Sequence, residues 1–167
     1  MTNLNIPAAD LTTPLGRAIA FIWQEAELLD RKDYDAWGAL WSADGYYVVP
    51  IDPDTTDFAS QLNYAYDDAR MRQLRIERFT SGYSMSAADA AVTVRTVSRF
   101  TLTRSEGDEV DVQSAQLLAA YKRGATALFA GNLTHRIRFT AEGPKLVQKV
   151  VRLVNSQDAL NALGFLL

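Results

Sequence analysis

Apolar side chains return every three or four positions near the start of the chain. Leu15, Ile19, Ile22, Trp23, Ala26 and Leu29 form one stripe, which predicts a helix of about four turns. Thr12-Thr13-Pro14 marks its start, with a hydroxyl at the cap and proline at the first helical position, where a missing N–H costs nothing. Asp33 caps a second, short helix with Trp37, Leu40 and Trp41 on one face, and Ala43-Asp44-Gly45 stops it. Tyr46-Tyr-Val-Val-Pro50 reads as a short strand and residues 51–63 as a loop. A third helix is expected from about Asp67 to Phe79, with Met71, Leu74 and Ile76 apolar and Asp67-Asp68 at the positive end of its dipole.

The period then changes from helical to alternating. Val92, Val94, Thr96, Ser98, Phe100 and Leu102 alternate with Thr93, Arg95, Val97, Arg99, Thr101 and Thr103, a long strand with one wetter face. Val110–Tyr121, Ala127–Phe139 and Leu146–Val154 follow as strands, separated by turns at Glu106-Gly-Asp108, Lys122-Arg-Gly124 and Ala141-Glu-Gly-Pro144. Asp158 is expected to cap a last helical turn before the apolar end, Gly164-Phe-Leu-Leu167. Helices followed by a long-stranded meander make an α+β domain with helices on one face of the sheet. The sheet must curve for three helices to cover that face, and such a curve tends to enclose a pocket. Residues 1–11 read as an arm and 12–167 as a single domain.

Composition narrows the chemistry. With 48% hydrophobic and 22% charged residues, the chain has the make-up of a globular domain. Its net charge of −3 argues against a nucleic-acid binder acting by bulk charge. No run approaches the roughly 18 apolar residues of a membrane span, and no basic-then-apolar leader opens the sequence, so the expected location is the cytoplasm. The chain has no cysteine and one histidine, His135. Disulfides, thiolate metal sites and multi-histidine iron or zinc sites are therefore outside its means, and no metal site is expected.

The remaining candidates are few. His135 alternates in phase with Phe129, Leu133, Ile137 and Phe139; it is either a pocket acid–base or a structural imidazole bonded to backbone. Asp30, Asp33, Asp35 and Asp44 match no calcium loop and read as caps and solvated charges. The arginines of the third helix spread around it, which favours salt bridges or solvation over a phosphate patch. Phe165-Leu166-Leu167 either folds back on the core or docks on a partner. No glycine-rich phosphate loop, Ser–His–Asp ordering or dinucleotide fingerprint is present.

An ordered set of short stretches spans nearly the whole chain: Glu25-Ala-Glu-Leu-Leu-Asp30, Tyr34-Asp-Ala-Trp37 with Leu40-Trp41, Asp44-Gly45 leading into Tyr47-Val-Val-Pro50, and Tyr66-Asp-Asp68 with Arg75 and Arg78. Val94-Arg95 with Ser98, Lys149-Val-Val151 with Leu153, Asn155 and Asp158, and Phe165-Leu166 complete it. This set resembles the small (β) subunit of aromatic-ring-hydroxylating dioxygenases, partners of a Rieske non-haem iron α subunit. Arg99, where an asparagine is common, and Pro144-Lys-Leu146, where a tryptophan is common, depart from the pattern.

The resemblance implies a strongly curved antiparallel sheet wrapped around N-terminal helices, the cone of the nuclear transport factor and ketosteroid isomerase superfamily. It implies a non-catalytic subunit that supports an α3β3-type oxygenase in aromatic catabolism, trimeric with itself and bound to α, with no nucleic acid and no membrane. The Rieske cluster and mononuclear iron would sit in α, and no cofactor in this chain. Interface roles are expected for Arg72, Arg75, Arg78, Arg95, Arg99, Phe165, Leu166 and Leu167. Replacing Arg75 or Arg78 by alanine is expected to weaken assembly more than melting temperature. The alternatives are a stand-alone dehydratase or isomerase using His135 with Tyr46 or Tyr47, and a small-ligand binding module.

Overall fold

The computed structural model describes residues 10–81, 91–158 and 164–167. Most of the expected arm and the turn expected after Asp158 lie outside the described residues. Helix α1 (Pro14–Asp30) begins where the sequence places it, with the Thr13 side chain accepting from the Gly16 amide. It buries Ala18, Phe21, Ile22, Glu25, Ala26 and Leu29. Trp23, expected in the buried stripe, is 49% exposed. It sits one residue, or about 100° of helix rotation, past Ile22. There it packs edge-on against Phe100 at 5.9 Å and donates its indole N–H to the Val97 carbonyl.

Helix α2 (Tyr34–Ala39) is capped by Asp33, which accepts from the Ala36 amide. Strand β1 (Trp41–Pro50) begins earlier than expected. The expected stop at Ala43-Asp44-Gly45 is a register shift against a later strand, between Trp41 and Tyr46. A Cβ on Gly45 would lie 2.8 Å from the Leu146 carbonyl oxygen, so two backbones can approach there only because the residue has no side chain. Strand β2 (Asn63–Asp67), for which the sequence reading has no counterpart, pairs antiparallel with β1. Helix α3 (Ala69–Thr80) follows, capped by Asp68.

The long strands β3 (Val92–Glu106), β4 (Glu109–Lys122), β5 (Ala125–Thr140) and β6 (Gly143–Leu153) form the antiparallel meander that alternation predicts. The six-stranded sheet has the order β2-β1-β6-β5-β4-β3 and stays unclosed. One pair departs from the expected antiparallel sheet: β1 runs parallel to β6. Register shifts in β3, after Ser98 and after Leu102, and between Arg136 and Ile137 bend the strands and increase their twist. The sheet thus curls around the helices, and Phe21, Ile22, Trp37, Leu118, Leu133, Ile137 and Leu153 meet in the core.

Strand β3 turns its wetter face inward. Thr93, Arg95 and Val97 are buried, whereas Val92 and Val94 are 65% and 66% exposed. The reason is Asp30 at the end of α1. Its carboxylate accepts from the Thr93 hydroxyl and the Arg95 amide, each at 2.9 Å, and pairs with the Arg95 guanidinium at 3.3 Å. A polar face goes inside when its partners are waiting there.

Candidate functional site

Strand register alone builds a polar row across the inner face of the sheet. Val112 on β4 stands opposite His135 on β5, His135 opposite Lys149 on β6, Lys149 opposite Tyr47 on β1, and Tyr47 opposite Asp67 on β2. Helix α1 lowers Glu25 onto this row. The Lys149 ammonium lies 2.7 Å from one Glu25 oxygen, and the Trp37 indole donates to that oxygen at 2.9 Å. His135 Nε2 lies 3.5 Å from the other Glu25 oxygen, and neither ring nitrogen makes a hydrogen bond.

The electrostatics follow from burial. Burial alone would raise the Glu25 carboxyl, but the Lys149 charge holds it well below the usual carboxylate range. Burial also lowers Lys149, against the pull of Glu25. Burial lowers His135 too, against the Glu25 contact, so the imidazole is neutral at pH 7. Burial pushes the Tyr47 phenol up. The row therefore holds the Glu25–Lys149 ion pair beside a neutral imidazole and a neutral phenol.

The last described residues close over this row. Lys149 Nζ donates to the Leu167 backbone oxygen at 3.0 Å, as does the Tyr47 hydroxyl at 3.4 Å, and the Leu167 amide donates to that hydroxyl at 3.2 Å. Arg95 donates to the Leu166 carbonyl at 2.9 Å. Of the two readings of the apolar Phe165-Leu166-Leu167, the fold takes the one in which it folds back on the core.

The candidates from sequence divide accordingly. His135 and Tyr47 share the row, and Tyr46 does not. Tyr46 lies on the outer face, stacked on Tyr66 at 5.1 Å. Glu25 and Lys149, the strongest charges of the site, escape the sequence reading. The available signal is phase: Glu25 falls in the Ile22–Leu29 stripe, and Lys149 alternates with Val151 and Leu153.

Among the arginines, Arg72 is buried, bonded to the Gly45, Asp67 and Ser42 carbonyls and lying over Trp41 at 4.3 Å. Arg75 grips the buried Asp67 with two bonds, Arg95 is inside the cone, and Arg78 is exposed. Arg99 is exposed on the outer face in a left-handed conformation (φ 56°) and reaches Asn132. Asp33 is the expected cap, but Asp30 is an internal partner of Arg95, and Asp44 pairs with Arg138 at 3.0 Å. The Arg138 bond, with help from Ser42, lowers the Asp44 carboxyl to about 2.

Among the described residues, no group of three or more His, Cys, Asp or Glu is placed to hold a metal ion, and no helix is long and apolar enough to cross a membrane. A Rieske cluster needs two cysteines and two histidines, and this chain has no cysteine and one histidine, so the donor set does not fit.

Comparison with known proteins bears on both family and fold. Residues 24–158 match the family described as ring hydroxylating beta subunit. The chain is 28% identical over 130 residues to the small oxygenase component of the p-cumate 2,3-dioxygenase system of Pseudomonas putida, covering 77% of this chain and 72% of that protein. It is 27% identical over 157 residues to the benzene 1,2-dioxygenase subunit beta of Pseudomonas putida, covering 87% and 84%. The crystal structure of the beta subunit of the benzoate 1,2-dioxygenase from Burkholderia mallei superposes with a TM-score of 0.75 at 22% identity, covering 96% of this chain and all of that one, which establishes the shared fold.

Proposed function

This chain belongs to the ring hydroxylating beta subunit family, and from that membership we propose that it is the non-catalytic β subunit of a multicomponent aromatic-ring-hydroxylating dioxygenase. It holds together an oxygenase of α3β3 type, associating with itself as a trimer and with an α subunit that carries the Rieske cluster and the mononuclear iron. It works in the cytoplasm, in the breakdown of aromatic compounds. The match over residues 24–158 carries this reading.

The interior supports it. His135 is 0% exposed, and its carboxylate neighbour is committed to Lys149 and Trp37. A stand-alone dehydratase or isomerase would need an acid and a base free to face substrate.

The assembly surfaces are assigned from exposure. Arg78 on α3 and Arg99 on the outer sheet face make direct contacts. Arg72, Arg75 and Arg95 serve assembly by holding β1, β2 and β3 in place, and Phe165-Leu166-Leu167 by filling the cone. The outer face of β3–β5 offers Val92, Val94, Leu117 and Leu128 at one end. At the other end, Arg104 and Arg136 share Asp111, and Arg138 joins Glu109. An exposed apolar area beside fixed charges suits a protein partner, the charges setting register.

Reconstitution tests this function. Aromatic dihydroxylation should require both the cognate α subunit and this chain, together with electron-transfer partners. Turnover by this chain alone would refute it.

A further inference from the structure

We propose that the cavity between Arg99 and Arg152, on the outer face of the sheet, is an oxyanion-binding site that takes a phosphate or carboxylate group. The inference does not depend on the subunit role. It begins with a bulge. Ser98 faces Ala115 and Thr101 faces Gln113 across β3 and β4, so Arg99 and Phe100 together stand opposite Ser114. The extra residue reverses the phase of the strand. By plain alternation Arg99 would share the inner face with Arg95 and Val97. Instead it is exposed and lines the outer cavity, while Phe100 packs on Trp23 of α1. The cost falls on Arg99, whose φ of 56° is a conformation that glycine and asparagine adopt far more readily. Ser98, Ala115, Asn132 and Arg152 stand side by side on β3 to β6. The Arg99 guanidinium crosses the short Ala115 to donate to Asn132 Oδ1, and Arg152 stands opposite that same asparagine.

The cavity measures about 320 Å3, and Thr101, Gln113, Asn132 and Thr134 add two hydroxyls and two amides to its wall. No carboxylate lines it. Elsewhere Arg31, Arg75, Arg95, Arg104, Arg136 and Arg138 each meet a carboxylate. Arg99 and Arg152 bond neutral oxygens instead: the Asn132 side chain, and the Pro53 and Thr55 carbonyls. Asp54 acts on Arg152 through its charge, without a bond. Nη1 of each guanidinium takes no part in these bonds. Two guanidiniums with donors to spare, flanked by hydroxyls and amides and bonded to no anion, form an oxyanion site in a chain whose net charge is −3.

Inorganic phosphate is the probe, titrated calorimetrically into the full chain, with chloride at equal ionic strength as the blank. It should bind with a dissociation constant of about 1 mM. Arg99→Asn should weaken it about tenfold, yet melt no lower than the parent in chloride, because asparagine fits the left-handed backbone. Arg70→Asn removes the same charge from an exposed position on α3 and should leave binding unchanged. A parent that ignores phosphate, an Arg99→Asn variant that binds as the parent does, or an Arg70→Asn variant that loses as much overturns the site. So does an Arg99→Asn variant that melts lower, since Arg99 then serves the fold. The same titration into the particle formed with an α subunit separates the sources of the oxyanion. Binding that persists there assigns the site to a free molecule, and binding lost on assembly assigns it to a carboxylate of the partner.

Discussion

At the scale of single residues, two charges have no business in a core except with each other. Glu25 and Lys149 are both buried and lie 2.7 Å apart. Breaking such a pair strands a charge, whereas replacing both ends need not. Lys149→Met should cost about 3–5 kcal/mol in denaturant unfolding, and the double change Glu25→Leu/Lys149→Met markedly less than the single. His135 gives a second test, because it is the one histidine in the sequence. Burial lowers its folded pKa below the ordinary 6.5, so the unfolded chain binds the extra proton. Stability should therefore be flat above about pH 6.5 and fall below it, by up to about 1.4 kcal/mol per pH unit. His135→Gln should remove that slope in a pH series of thermal unfolding, and an unchanged slope would refute the assignment. The imidazole was legible from alternation, and Tyr47 only as one of the pair Tyr46 and Tyr47, which the sequence does not tell apart. Glu25 and Lys149 were not, because a lone charge in an apolar phase reads as solvated until the opposite charge is known to face it.

At the scale of elements, periodicity recovers α1, α3 and the four long strands, since their spacing repeats over many residues. It misses what single residues decide. Strand β2 has only five residues, too few for alternation to stand out. The early start of β1 depends on Gly45 letting Leu146 approach, a contact more than a hundred residues away in sequence. Gly45→Ala should cost about 1–3 kcal/mol by thermal unfolding, through the clash with the Leu146 carbonyl and the Trp41 ring. Helix α3 separates two arginines that the sequence treats alike. Arg75→Ala strips the buried Asp67 of its partner and should lower the melting temperature of the isolated chain. Arg78→Ala, on an exposed position, should leave the stability of the isolated chain within about 0.5 kcal/mol of the parent and act on assembly instead. Equal losses of stability in both variants would contradict this division.

At the scale of the whole molecule, the curled sheet spends its inner face on its own helices and segment 165–167, and under the proposed function it is the outer face of β3–β5 that meets partners. A curved sheet covered by helices was legible from the sequence because helices preceding a meander leave few ways to cover one sheet face, and the cone was implied by the family resemblance. The parallel β1–β6 pairing was not, since strand order depends on contacts between distant parts of the chain. The most direct test is the mass of the particle this chain forms when co-expressed with its α subunit, measured by native mass spectrometry. An assembly of equal numbers of the two chains, three of each, is predicted; a chain that stays monomeric and ignores α would contradict the account.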